Sequence, residues 1–250
     1  MQFTASSEAA EGKPRAAFAF GGIMRTNVYV DGFNLYNRRL KYRNDLKWLN
    51  IKSLCSIVLK ASHKIQTVNY YTAKVSGKID SGAPGRQKIY LRALGTVPEI
   101  KIHYGTFLYS QKWAALAKPL DTRPAAYNWN TPVPTLVWVE KAEEKGSDVN
   151  LACHLVRDAL NKSIDCAIII SNDTDLVEPM KIASAAGIRI GLLSPIENKK
   201  NPKGGWYAPS TTLVNVSDFT LHIHNKHLRQ AQFPSPLKLA DHSTLQKPAS

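Results

Sequence analysis

The chain has 250 residues, 44% hydrophobic and 21% charged, which is too apolar for an intrinsically disordered protein and long enough to bury a core as one large domain or two small ones. Its longest apolar runs, such as Cys166–Ile170, fall far short of the roughly 20 residues that span a bilayer, so a soluble globular protein is expected. A net charge of +14 favours polyanionic partners, with nucleic acid first and an anionic membrane second, because no basic amphipathic helix with large apolar residues stands out.

Met24 lies just before the first convincing strand, so the stretch 1–25 is set aside as a disordered extension or an upstream start, and a signal peptide is not expected because Glu8 and Glu11 stand where basic residues belong. Residues 27–30 read as a strand running into Asp31-Gly32, and 33–42 as a helix through Leu35, Tyr36 and Leu40. A second helix is expected at 51–61, a strand at 65–71, a polar loop at 77–85 and a helix at 87–94. The third strand spans 100–107. Pro119, Pro124, Pro132 and Pro134 then mark a long surface excursion before a short extended segment at 136–139. Ser147 reads as the cap of a helix whose apolar positions are Val149, Ala152, Val156, Ala159 and Leu160. A buried strand at 166–170, a helix at 176–186 ended by Gly187 and a strand at 188–193 follow. Residues 213–216 read as a last strand, 218–228 as a helix and 231–250 as a flexible basic tail. The alternation predicts an α/β fold of three layers with a mainly parallel sheet, one domain over 26–230. Cys55, Cys153 and Cys166 show no C-x-x-C spacing, which fits a reducing cytoplasm, and Cys153 and Cys166 read as small buried hydrophobes.

In an open parallel sheet, ligands sit beyond the carboxyl ends of the strands, where strand order reverses. The residues expected there are acidic: Asp31 ends the first strand, and Asp173 and Asp175 follow the strand at 166–170. Asp148, in the first turn of its helix, has Ala152 and Leu155 at i+4 and i+7, which aims its carboxylate at the sheet. Each acid alone also suits an ordinary helix start or turn. Converging together they repel, by about 4 kcal/mol per pair at 4 Å and an effective dielectric near 20, and call for protons or a cation. All are hard oxygen donors with no His or Cys at ligand spacing, which selects Mg²⁺ or Mn²⁺ over zinc. An acidic, metal-filled pocket in a basic body suits phosphodiester hydrolysis, in which a metal-activated water attacks phosphorus in line and leaves a 3′-hydroxyl and a 5′-phosphate.

Three segments carry a resemblance: Val28-Tyr29-Val30-Asp31-Gly32-Phe33-Asn34-Leu35-Tyr36, Glu144-Lys145-Gly146-Ser147-Asp148-Val149-Asn150-Leu151-Ala152 and Ile170-Ser171-Asn172-Asp173-Thr174-Asp175-Leu176. They resemble the NYN domains of the PIN-like nuclease superfamily, in its LabA-like bacterial branch, as do Tyr70-Tyr71-Thr72-Ala73, Arg86-Gln87 and Gly105-Thr106-Phe107, so that the likeness covers about residues 26–193. The resemblance implies a PIN-like three-layer α/β/α sandwich and a metal-dependent ribonuclease, with Asp31, Asp148, Asp173 and Asp175 on the family's acidic positions and Asn34 on its nearby polar one.

Other patterns compete. Asp173-Thr174-Asp175-Leu176-Val177 fits the D-x-D-x-[TV] signature of haloacid-dehalogenase-like phosphatases, but that motif belongs to a first strand and leaves Asp31 and Asp148 unexplained. His222, His224 and His227 read as a solvated face beyond the carboxylate core. Arg38, Arg39, Lys41, Arg43 and Lys47, interleaved with Tyr36, Tyr42 and Trp48, suit single-stranded RNA or else form a solvated helix face over core aromatics. Lys74, Lys78, Arg86 and Lys88 flank the 77–85 loop and read as a second phosphate contact, while Glu144 and Glu178 stay outside the primary acidic set. The leading expectation is a cytoplasmic metal-dependent endoribonuclease, with Asn34 orienting substrate or solvent. The rival is a noncatalytic RNA-binding regulatory module, and a homo-oligomer or a regulatory protein partner stays open for both.

Overall fold

A strand with no polar face must be covered on both sides. The computed structural model describes residues 22–78, 80–116, 134–196, 200 and 207–249, and at its centre lie two such strands. Cys166–Ile170 (β5) is buried at every residue, and Met24–Asp31 (β1) is buried from Thr26 onward. They pair in parallel with Val28 opposite Ile168 and Val30 opposite Ile170. Outward from β1 lie His63–Ala73 (β2) and Ile100–Ala115 (β3), and outward from β5 lie Arg189–Ser194 (β6) and Phe219–His222 (β7). Leu136–Lys145 (β4) closes the far edge antiparallel to β3, giving the seven-strand order β4-β3-β2-β1-β5-β6-β7. The chain therefore builds one way from β1 and then returns to build the other way, which puts the switch point between β1 and β5.

Helices cover both faces and make the fold a three-layer α/β/α sandwich. Gly32–Leu35 (α1), Ile51–Val58 (α2), Ala83–Leu94 (α3) and Asn225–Gln230 (α7) pack Leu35, Leu54, Leu94 and Leu228 against Val28, Val30, Val68 and Ile168. On the other face Ser147–Leu160 (α4), Val177–Ala185 (α5) and Thr211–Val216 (α6) pack Leu151, Leu155, Met180 and Leu213 against Tyr29, Tyr71, Ala167 and Ile169. No helix of the described residues is long and apolar enough to cross a membrane.

Several sequence expectations need correction. The first strand begins at Met24, and Arg25, assigned to the extension, is a strand residue paired with Asp165 at 2.8 Å. Residues 1–21, and the prolines at 119, 124 and 132, lie outside the described residues. Helix α3 starts at Ala83, inside the expected loop, with Pro84 in its first turn, where a missing N–H costs nothing. Strands β3 and β4 extend well beyond 107 and 139 into a two-stranded arm. Residues 213–216 are helical, because burying Leu213 in the second core outweighs the β preference of Val214 and Val216, and the edge strand falls at Phe219–His222 instead of a helix. In α4 the buried face runs through Leu151, Leu155, Asp158 and Ala159, while Val149 and Leu160 are exposed, as is Cys153. The phase was misread because a buried acid, Asp158, occupies a core-facing position.

The segment expected to be a flexible tail is built into the fold. Phe233 and Leu245 are buried in the first core, and Leu237–Lys238 (β8) pairs with Thr244–Leu245 (β9). The Phe233 N–H donates to the Trp48 carbonyl at 2.8 Å, the Trp48 indole N–H donates to the Pro234 carbonyl at 2.9 Å, and the two rings meet edge-on. Two isolated apolar anchors without periodicity leave no helix or strand signature. Phe233→Ala should therefore destabilise the protein by about 3–5 kcal/mol, the cost of truncating a buried Phe, read as a lower urea midpoint. A change below about 0.5 kcal/mol would show that this segment contributes nothing to the core.

Candidate metal-binding active site

The pairing of β1 with β5 places Asp31 beside Ser171, the first residue after β5. The Ser171 hydroxyl donates to Asp31 Oδ2 at 2.9 Å and in turn accepts the Asp173 N–H at 3.0 Å, so one short side chain fixes two of the expected acids. Asp31 Oδ1 accepts the Asn34 N–H at 2.9 Å and thereby caps α1. Asn34 Oδ1 accepts the Asn172 N–H at 3.1 Å, and Asn172 Oδ1 accepts the Ser210 N–H at 2.9 Å. Gly32 is required because a Cβ there would lie 2.7 Å from the Tyr71 carbonyl oxygen.

Asp148 arrives from the other face layer. Gly146, at φ 89°, turns the chain from β4 into α4, which a side chain would resist, and Glu144 accepts the Ser147 N–H at 3.0 Å. Gly146, not Ser147, occupies the cap position, so Glu144 supplies the acceptor that a capping serine would have offered. The helix then lowers Asp148 toward the β1–β5 switch point. Carboxylate oxygens of Asp31, Asp148 and Asp173 lie within 4.8 Å of one another.

At that separation each pair of negative charges costs about 3–4 kcal/mol at an effective dielectric near 20. Asp31 is 5% exposed, and its pKa is raised mainly by burial, opposed by the bonds from Asn34 and Ser171 and assisted by the charges of Asp173 and Glu144. Burial and then the charges of Asp31, Glu144, Asp173 and Asp175 push Asp148 up to about 6. Asp148 thus holds its proton into the mildly acidic range unless a cation neutralises its acidic neighbours. Three oxygen-donor side chains without a nearby sulfur or imidazole ligand fit a hard divalent ion.

Of the expected acids, Asp175 is the one that does not converge. It is exposed, its backbone N–H bonds to Asp173 Oδ1 at 3.1 Å, and it acts on the cluster through its charge alone. Two contributors were missed as primary residues. Glu144 sits close enough to raise Asp31 and Asp148, and Ser171 orients Asp31. Their signal was their place within the two acidic motifs.

The basic candidates divide. Arg38, Lys41, Lys74, Lys78 and Lys88 are exposed. Arg39 is buried at 7% exposure and donates from Nη2 to Asn225 Oδ1 at 2.9 Å, so it cannot be an RNA contact at the surface. Arg39 stands four residues after buried Leu35 and next to buried Leu40, so it falls on the core-facing side of the π-helical turn at Tyr36–Leu40. Arg43 pairs with Asp45 at 3.1 Å, and Arg86 is paired with Asp80. Trp48 belongs to the core, while Tyr36 and Tyr42 remain exposed, each beneath a lysine.

The fold and site define an open α/β protein with a carboxylate cluster at its topological switch point. No family model matches the chain. It is 26% identical over 235 residues to 6-hydroxy-3-succinoylpyridine 3-monooxygenase of Pseudomonas putida, covering 84% of this chain and 70% of that protein. Among solved structures it is similar to a protein of unknown function from Vibrio parahaemolyticus, at 14% identity and a TM-score of 0.43, covering 82% of this chain and 96% of the other.

Because the folded pKa of Asp148 lies above the unfolded value near 3.8, the native state holds this proton more tightly, and its ionisation removes stability as pH rises from about 4 through 6. The side chain is half-exposed, so screening limits the effect to about 1 kcal/mol. In EDTA, Asp148→Asn should gain about 2–4 °C in Tm over the native protein at pH 7 and nothing at pH 4, and excess Mn²⁺ should reverse that gain. Equal melting at both pH values, with no response to Mn²⁺, would show that the carboxylates do not interact.

Proposed function

We propose that this protein is a metal-dependent endoribonuclease of the NYN type. The observation that supports the reading is the convergence of Asp31, Asp148 and Asp173, each contributed by one of the three motifs that resemble that family. These three residues would hold Mg²⁺ or Mn²⁺, with Asp175 and Glu144 adding negative potential around them. A bound divalent ion supplies Lewis acidity at the scissile phosphate and makes water acidic enough to attack it.

The chain's own groups perform the remaining tasks. Ser171 and the Asn34 backbone amide aim Asp31 and oppose the rise in its pKa that burial imposes. Asn34 spans the two loops at the switch point through Asn172, which keeps Asp31 and Asp173 at fixed separation. Exposed Arg38 and Lys41, which follow β1, and Lys74, Lys78 and Lys88, which follow β2, would offer charge to the phosphates of an extended single strand. With +14 overall, the protein attracts the polyanion to a pocket that would repel it unless a cation were bound.

The relative from Pseudomonas supports a second reading, oxygenation of a hydroxylated pyridine, through its 26% identity over most of the chain. One set of assays separates the readings. Labelled single-stranded RNA should be cut internally in Mn²⁺, leaving 5′-phosphate ends, and remain intact in EDTA. Asp148→Asn should lower cleavage by at least about 100-fold while RNA affinity changes little, since cations elsewhere make the phosphate contacts. RNA bound but never cut, by native protein in Mn²⁺, would favour the noncatalytic module, and oxygen uptake with 6-hydroxy-3-succinoylpyridine and an added two-electron reductant would favour the second reading.

A further inference from the structure

On the sheet face that carries the carboxylate cluster, a groove of about 420 Å³ runs between α4 and strands β2 and β3. Its His103 edge is two strands from the cluster, across the buried Tyr71: Asp31 pairs with Tyr71, and Tyr71 pairs with His103. Helix α4 borders both, with Asp148 at its start and His154, Arg157 and Asp158 further along. The step from Asp148 to Arg157 is about 13.5 Å of helix rise, the reach of a few nucleotides of extended strand.

The groove is organised around a buried charge. Asp158 Oδ2 accepts the Tyr29 hydroxyl at 2.7 Å and Asn27 Nδ2 at 3.1 Å, and its Oδ1 accepts Arg157 Nε at 3.0 Å and Nη2 at 2.8 Å. With both oxygens occupied, this carboxylate serves to orient Arg157, whose side chain is 57% exposed and keeps further N–H groups for a ligand. Lys101 adds a second, exposed cation. The other groups are neutral. His103 Nε2 donates to Asn69 Oδ1 at 3.0 Å and leaves the Asn69 NH₂ to donate, while the Tyr71 hydroxyl and His154 Nδ1 share a hydrogen bond of 3.0 Å. Burial lowers the pKa of both rings, that of His103 to about 4, so neither adds charge at neutral pH. Two fixed or exposed cations beside the Asn69 amide N–H donors match an anion with several acceptor oxygens. The Asn27 amide oxygen, an acceptor without a partner among the described residues, takes no part in holding an anion.

We infer that this groove holds a backbone phosphate of the same RNA strand whose scissile linkage lies at the carboxylate cluster, gripped by Arg157 and Lys101. The inference rests on the ribonuclease reading of that cluster. Asp158 is then a positioning residue for Arg157, and the strand runs along α4 from the cluster toward the start of β3.

Binding in EDTA separates the groove from the chemistry. Fluorescence anisotropy of a labelled single-stranded RNA would be measured with native protein, Lys101→Glu, Arg157→Gln and, as a charge-matched control away from the groove, Lys60→Glu. Arg157→Gln leaves Asp158 without its cation, so thermal melting accompanies each variant, and exposed Lys101 keeps the test valid should Arg157→Gln fail to fold. Lys101→Glu should weaken binding about tenfold and make the slope of log affinity against log salt shallower by about 0.7 for the lost phosphate, and Lys60→Glu should stay within about twofold of native. Lys101→Glu binding no more weakly than Lys60→Glu overturns the groove, even where RNA is cleaved in Mn²⁺. Binding that depends on Lys101 with no cleavage in Mn²⁺ supports the groove as an RNA site and overturns the ribonuclease reading alone.

Discussion

Three carboxylates held within 4.8 Å of one another are a standing source of repulsion, and much of the local structure exists to keep them there. The parallel pairing of β1 and β5 brings the ends of two strands side by side, and the acids at those ends have nowhere to diverge because the strands are buried on both faces. The Ser171 hydroxyl and the Asn34 backbone amide partly offset the charge on Asp31, and the Asp173 amide donates to Ser171. Among the described residues no such donor reaches Asp148, and burial plus its acidic neighbours raise its pKa. A divalent cation would relieve the repulsion at all three positions at once, which is the physical link between the cluster and the proposed hydrolysis.

The rest of the molecule distributes charge around that pocket with some economy. The +14 surplus is not spread evenly over the motif that follows β1: Arg39 turns inward to Asn225, and Arg43 is taken up by Asp45. Exposed Lys74, Lys78 and Lys88 near residues 77–85, and Arg38 on the π-helical turn with Lys41 just after it, remain at the surface. On the α4 side, Asp158 is buried with its hydrogen bonds filled, a cost the fold bears while holding Arg157 at the rim of a polar groove. The same helix therefore presents an acid to the switch point at one end and an oriented cation to the groove further along.

The sequence by itself determined the α/β class, the central strands and the acidic residues at their ends. Strands such as Cys166–Ile170 carry an unbroken apolar run that only a doubly covered sheet accommodates, and polar residues directly after such a run are forced to its carboxyl end. The inward position of Asp148 also followed from helical spacing, although the apolar stripe of α4 had been assigned partly to the wrong residues. Tertiary structure alone decided which acids meet. Asp175 lies two residues from Asp173 yet stays exposed, because the turn after β5 caps Asp175's own N–H with Asp173 and directs only one carboxylate inward. It also decided that Arg39 is buried and that the C-terminal segment packs on Trp48, since both depend on partners 186 residues away in the chain. Local pattern carries information about periodicity and end signals, while long-range side-chain partners leave no periodic trace, and that physical difference separates what was legible here from what was not.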